Sequence, residues 1–179
     1  MINVIKTRDE CLLNIKHLLP SNPVTCEIGF FRGEFSKLIN DILEPSKHYT
    51  VDFFEGSGFS GDKDGNDIQC QNMSEMKILS EELGYNTIIG TSEKLKDIDE
   101  KFDFIYIDAD HTYSWVSFDL KNSYDKIKNG GIIAGHDYSD SQFPECVAAV
   151  NDFCKSNNQQ IFLLSEDGCP SFFIKINKE

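Results

Sequence analysis

Apolar and polar positions along this chain alternate between two rhythms, one of period near 3.6 and one of short continuous apolar runs. Ile5, Leu12, Leu13, Ile15, Leu18 and Leu19 recur at helical spacing until the turn between Pro20 and Pro23, which predicts a covering helix ahead of the first strand. Apolar runs then come at residues 25–29, 49–53, 86–90, 102–108 and 132–138. Helical patterns separate them over 34–43, near 73–83, through Trp115, Leu120 and Tyr124, and near 145–156. The segments IFLLSE and CPSFFIKI close the chain as two late strands. Five strand and helix alternations followed by two strands predict an α/β fold with a mostly parallel seven-stranded sheet, an antiparallel edge strand and helices on both faces. Gly130 and Gly131 are expected to stop the fourth helix, and residues 55–67, rich in glycine and acid, read as a loop. No repeat, linker or low-complexity tract divides the chain, so residues 1–179 are expected to form one domain with residues 1–20 as its N-terminal cover.

Composition narrows the functional classes. A net charge of −13 and a pI near 4.6 argue against nucleic acid or an anionic membrane surface as partner, because both would be repelled. Cys11, Cys26, Cys70, Cys146, Cys154 and Cys169 contain no C-x-x-C pair and fall largely in core-like segments, as reduced thiols do. The N-terminus lacks a signal-peptide succession and no apolar run reaches membrane-spanning length, so the expected location is the cytoplasm.

In open parallel sheets ligands lie beyond the carboxyl ends of the strands, so the residues that close each apolar run carry the chemistry. The first run passes through Glu27, Gly29, Gly33 and Ser36 in the order E-x-G-x-x-x-G-x-x-S. Phe31 stands where the second glycine of a dinucleotide turn belongs, and no P-loop occurs. Asp52 ends the second run nineteen residues after Gly33, where a carboxylate can accept hydrogen bonds from ribose hydroxyls. The glycine pattern resembles motif I of the class I S-adenosylmethionine-dependent methyltransferases. That resemblance implies a Rossmann-like fold in which Glu27, Gly29, Gly33, Ser36 and Asp52 hold S-adenosylmethionine. It also implies that Thr91 and Ser92 lie near the adenine, although turn-capping hydroxyls would look the same.

The fourth and fifth runs end in Asp108-Ala109-Asp110-His111 and His136-Asp137-Tyr138. If these strands are neighbours, five polar side chains meet in one pocket suited to a hard divalent cation, with the histidines as bases or supporting ligands. Helix capping by the aspartates is the competing explanation. The stretch IDADHTYSWVSFDLKNSYDKIKNGGIIAGHDY resembles the D-x-D-H-x-Y, long helix, P-G-G-x-I-x-G-H-D-Y pattern of the Methyltransferase-24 type proteins, related to macrocin-type and catechol-type O-methyltransferases. The likeness spans about residues 20–140, with Asn129 in place of the proline before Gly130. It implies a metal, such as magnesium, on Asp108 and Asp137. Where catechol-type relatives place Asp-Asn this chain has Asp137-Tyr138, so His136, Asp110 or water would complete the shell.

The expected reaction is methyl transfer from S-adenosylmethionine to a small-molecule hydroxyl. Asp108 joins cofactor and metal binding, and His111 or His136 serves as base. The 55–67 loop and Trp115 are expected to shape the acceptor site, and a partner subunit, for instance in a homodimer, is left open. Two other classes remain: a catalytically silent S-adenosylmethionine-binding accessory protein and an NAD(P)-dependent oxidoreductase, the latter opposed by Phe31. The His136-Asp137 pair also occurs in metal-dependent phosphohydrolases, but there it belongs on helices.

Overall fold

A computed structural model describes residues 2–54 and 73–178; the 55–67 loop and Cys70 lie outside them. The elements, in chain order, are β1 (Asn3–Ile5), α1 (Arg8–Ile15), β2 (Val24–Ile28), α2 (Glu34–Leu43), β3 (Lys47–Asp52), α3 (Met73–Glu82), β4 (Asn86–Ile89), β5 (Phe102–Ile107), α4 (Tyr113–Lys126), β6 (Ile127–Gly135), α5 (Pro144–Ser156), β7 (Ile161–Ser165) and β8 (Phe172–Lys175). The strands form one sheet in the order β1-β7-β8-β6-β5-β2-β3-β4. All neighbouring pairs are parallel except β8, which runs antiparallel to both β6 and β7. The seven expected strands are present, and β1 adds an eighth beside β7.

Alternation along the central strands sorts the core into two layers. Phe104 and Tyr106 of β5 pack with Leu12 and Ile15 of α1 and Phe35 and Ile39 of α2. Ile105 and Ile107 face the other way, against Val116 and Leu120 of α4 and Ala149 and Val150 of α5. Helix α4 ends at Lys126, before the double glycine, because Ile127 already pairs with Phe102. Gly130 and Gly131 sit instead in an irregularity of β6, Gly130 with φ +82°, and a Cβ on Gly131 would lie 3.0 Å from the Asp103 carbonyl. No helix of the described residues is long and apolar enough to cross a membrane.

Between the β2 and β3 strands and α2 runs a buried polar chain. Thr25 Oγ1 meets His48 Nδ1 at 2.8 Å, His48 Nε2 meets Ser36 Oγ at 2.9 Å, and Ser36 donates to Glu27. With Ser36 donating onward, His48 is the Nε2–H tautomer and accepts from Thr25, so every member is satisfied without a charge on the imidazole. Burial pushes the His48 pKa down to about 3.

Two outcomes follow from this packing. Gly29 has φ +93°, and a Cβ there would lie 2.0 Å from the Asp108 carbonyl oxygen, so Gly29→Ala should destabilise the fold by roughly 2–4 kcal/mol in urea unfolding. An unfolded His48 takes a proton below its ordinary 6.5, whereas the folded one resists until about 3. The stability His48 contributes is therefore whole above pH 6.5 and is lost as pH falls, at up to about 1.4 kcal/mol per pH unit. The destabilisation caused by His48→Gln should shrink by about 1.4 kcal/mol between pH 7.5 and 5.5. A pH-independent difference between variant and wild type would contradict a neutral, buried imidazole.

Candidate functional site

The chain order reverses between β2 and β5, and there the carboxyl ends of the strands open a crevice of the kind that holds ligands in such sheets. The turn after β2 is held from three sides. Gly29 N donates to Val51 O at 2.8 Å, Asp108 N donates to Ile28 O at 2.8 Å, and the Asp52 carboxylate accepts from Phe30 N at 2.8 Å. Asp52 also accepts from Phe31 N at 3.4 Å and Phe53 N at 2.7 Å. The acid expected to meet ribose thus braces the glycine turn as well. A carboxylate offers about four acceptor positions, so one remains for a ligand hydroxyl. Gly33 turns the chain into α2 with φ +72° and a bond from its N–H to Phe30 O of 2.7 Å.

Glu27 lies under this turn, buried, with Ser36 as its donor. Burial holds its carboxyl well above the usual range, opposed by the Ser36 hydrogen bond and the Arg8 charge and reinforced by Asp108 and Asp52. The hydroxyl of Ser92 is bonded within the protein. Its Oγ donates to Asp119 Oδ1 at 2.6 Å and accepts from Asn122 Nδ2 at 2.9 Å, pinning the segment after β4 to α4. Burial raises Asp119 to about 6, with the Ser92 bond opposing. Thr91 makes no side-chain capping bond.

Strands β5 and β6 are neighbours, and their ends bring four of the five expected groups together. Asp137 is the hub. Its Oδ2 accepts from His111 Nε2 at 2.7 Å, and its Oδ1 faces His136 Nδ1 at 3.2 Å and the Cys169 thiol at 3.0 Å. His136 Nδ1 also lies 3.8 Å from Asp108 Oδ1. The fifth group, Asp110, lines the same pocket but is bonded locally, accepting from Thr112 N at 2.8 Å and Thr112 Oγ1 at 2.6 Å, an aspartate turn that starts α4. Trp115 stays partly exposed, edge-on to Phe118 at 5.5 Å. The pocket between Asp108, His111, His136 and Asp137 is floored by Val116 and Phe172 and has a volume of about 10 Å³, room for one water-sized occupant.

The charges of this cluster are set by contact. Burial would raise Asp137, yet hydrogen bonds from His111, His136 and Cys169 hold it below the ordinary carboxylate range. Burial and the neighbouring Asp137 charge raise Asp108, with His136 and Arg8 opposing. The bond to Asp137 raises His111, and for His136 the pull of Asp137 and Asp108 outweighs a burial effect of opposite sign. The donor atoms of Asp108, His111 and Asp137 all lie within 4.8 Å of one another, as do those of His136, Asp137 and Cys169. Carboxylate oxygens and imidazole nitrogens at that spacing fit a divalent metal.

Two contributors escaped sequence reasoning. Arg8, at the start of α1, lies over the Phe35 ring at 4.8 Å with its guanidinium 3.8 Å from Asp108. Cys169 arrives from the segment before β8. Neither carries a motif; the pairing of β1 with β7 and of β8 with β6 brings them to this edge of the sheet.

The fold is shared with several solved methyltransferases. A Streptococcus mutans protein described as a methyltransferase in complex with SAH superposes with a TM-score of 0.65 at 14% identity, covering 96% of this chain and 98% of that one. An S-adenosylmethionine-dependent methyltransferase of Clostridium acetobutylicum gives 0.64 at 11%, covering 95% and 90%. An rRNA methylase of Streptococcus thermophilus gives 0.59 at 10%, covering 94% and 93%. At such identities the likeness is one of fold. No curated protein matches the chain by sequence. The family model Methyltransf_24, described as a methyltransferase domain, matches residues 26–138, well over half of the chain. The chain therefore belongs to the Methyltransferase-24 family of class I S-adenosylmethionine-dependent methyltransferases.

Proposed function

We propose that this enzyme methylates a hydroxyl of a small molecule with the help of a divalent metal. The observation that carries the reading is the meeting of Asp108, His136 and Asp137 beside the glycine turn, with His111 on the opposite oxygen of Asp137. Asp108, His136 and Asp137 would hold the metal, whose contribution when bound is to lower the pKa of the acceptor hydroxyl. Glu27 and the Gly29–Gly33 turn hold the amino-acid end of the cofactor, and Asp52 its ribose. The methyl group of a sulfonium is already activated, so the protein's main task is to align the acceptor oxygen, methyl carbon and sulfur.

His111 is the base in this scheme. Its Nε2 is committed to Asp137, its ring leans on Phe143 at 4.5 Å, and its side chain is 42% exposed. The other ring nitrogen, Nδ1, is thus oriented by two neighbours and left for the acceptor proton. Acidity over the whole chain, which repels a phosphate backbone, favours a small acceptor over an RNA such as the one named for the Streptococcus thermophilus rRNA methylase.

Binding and turnover should separate cleanly. Asp52→Ala should weaken S-adenosylhomocysteine binding by about 5-fold or more in isothermal titration, the range for losing a charged hydrogen-bond partner. Asp108→Ala and Asp137→Ala should abolish methyl transfer in an acceptor screen while leaving that binding within a few-fold of wild type. Removing metal with EDTA should have the same effect as these two substitutions, reversed by adding the metal back. Full activity in EDTA would remove the metal from the mechanism and leave the methyltransferase standing.

A further inference from the structure

The side of Asp137 that faces away from His111 carries a donor set no hard-metal site needs. Two contacts converge on Oδ1, His136 Nδ1 at 3.2 Å and the Cys169 Sγ at 3.0 Å, and the donor atoms of His136, Asp137 and Cys169 all lie within 4.8 Å of one another. The thiol contact is unusual within this protein. Two other cysteine sulfurs approach carbonyl oxygens only to 3.6 and 3.7 Å, at Cys146 and Cys26. Ligands sharing one tetrahedral ion, with sulfur at about 2.3 Å and nitrogen or oxygen near 2.0–2.2 Å, lie roughly 3.3–3.6 Å from one another. The two contacts of Asp137 lie within a few tenths of an ångström of that range.

We propose that Cys169 joins His136 and Asp137 as a metal ligand, leaving a position for the acceptor hydroxyl, and that the site selects a borderline metal of the zinc and cobalt class over magnesium. The proposal rests on the metal reading above and deepens it by naming the ion. Magnesium prefers an octahedron of oxygens and keeps its waters, whereas imidazole and thiolate together favour zinc-class ions. On ligation the Cys169 S–H bond breaks, its proton passes to solvent and the sulfur lone pair enters the metal–sulfur bond; no electrons are exchanged. The carbonyl of Pro170 holds the position of the thiol, accepting from Tyr138 N at 2.9 Å and so fixing the Cys169 segment against the residue that follows Asp137. His111 stays outside this set on Oδ2, which keeps it free as the base.

Cobalt(II) reports on this directly. Chelator-treated wild-type protein, titrated anaerobically with cobalt chloride, should bind one equivalent and develop the near-ultraviolet charge-transfer band of a thiolate–cobalt bond. Cys169→Ser should lose the band and bind cobalt at least about tenfold more weakly. Cys146→Ala, which changes a thiol of the same pocket, should keep it. A large excess of magnesium chloride should leave the wild-type band in place. Cobalt bound without the band, or a band that survives in Cys169→Ser, overturns the assignment of Cys169 while the metal reading stands. No cobalt bound by wild type in equilibrium dialysis overturns both.

Discussion

The contact that organises this molecule is the one that leaves no room for a side chain at Gly29. Where a Cβ would stand, the Asp108 carbonyl oxygen is 2.0 Å away, so the turn after β2 and the end of β5 touch backbone to backbone. Everything at the site is measured from that contact. It brings the glycine turn, with Glu27 beneath it and Asp52 bracing its amides, against Asp108, whose side chain begins the polar cluster. A cofactor held by the turn would therefore lie beside this polar cluster, the proximity on which the proposed in-line transfer rests.

On the far side of Asp108 the energetics turn on Asp137. It holds φ +62°, a conformation that costs a non-glycine residue of order 1–3 kcal/mol, and it is buried. Three donors offset these costs: two imidazoles and a thiol. Those contacts hold Asp137 down while burial and the Asp137 charge raise Asp108, a division that lets one remain charged while the other responds to what binds.

How much of this was legible depends on whether a residue's role is local. The apolar runs and the polar residues that end them are local, and they placed Asp108, His111, His136 and Asp137 together once β5 and β6 were taken as neighbours. Roles set by distant pairing were hidden. Strand β8 runs antiparallel, pairing Phe172 with Gly135, so its beginning lies at the end of β6 and delivers Cys169 to Asp137. Strand β1 has three residues and no buried one, too little for a pattern, yet its pairing with β7 sets Arg8 over the site. His48 stood outside the second apolar run and carried no signal, because its partners, Thr25 and Ser36, are 23 and 12 residues away. The Ser92 hydroxyl likewise has partners no local pattern announces, Asp119 and Asn122 of α4.

The two histidines at the site are chemically alike but geometrically distinct, and the difference follows from chain direction. His136 is the residue after β6, so its imidazole lies between the carboxylates that end two adjacent strands, and its Nδ1 faces both. His111 comes three residues after Asp108, past the aspartate turn of Asp110, and reaches back to Asp137 from the rim with Nε2. The inner imidazole is 22% exposed and the outer 42%. A group that must hold an ion benefits from being enclosed and facing two acids, whereas one that must take a proton from an incoming acceptor needs an open nitrogen. Had Asp110 bonded to the histidines beside Asp137, a third carboxylate would have raised the cost of keeping the acids ionised. Its diversion to Thr112 leaves the cluster with two acids and two imidazoles, a balance in which the outer histidine can lose and regain a proton while Asp137 keeps it in place.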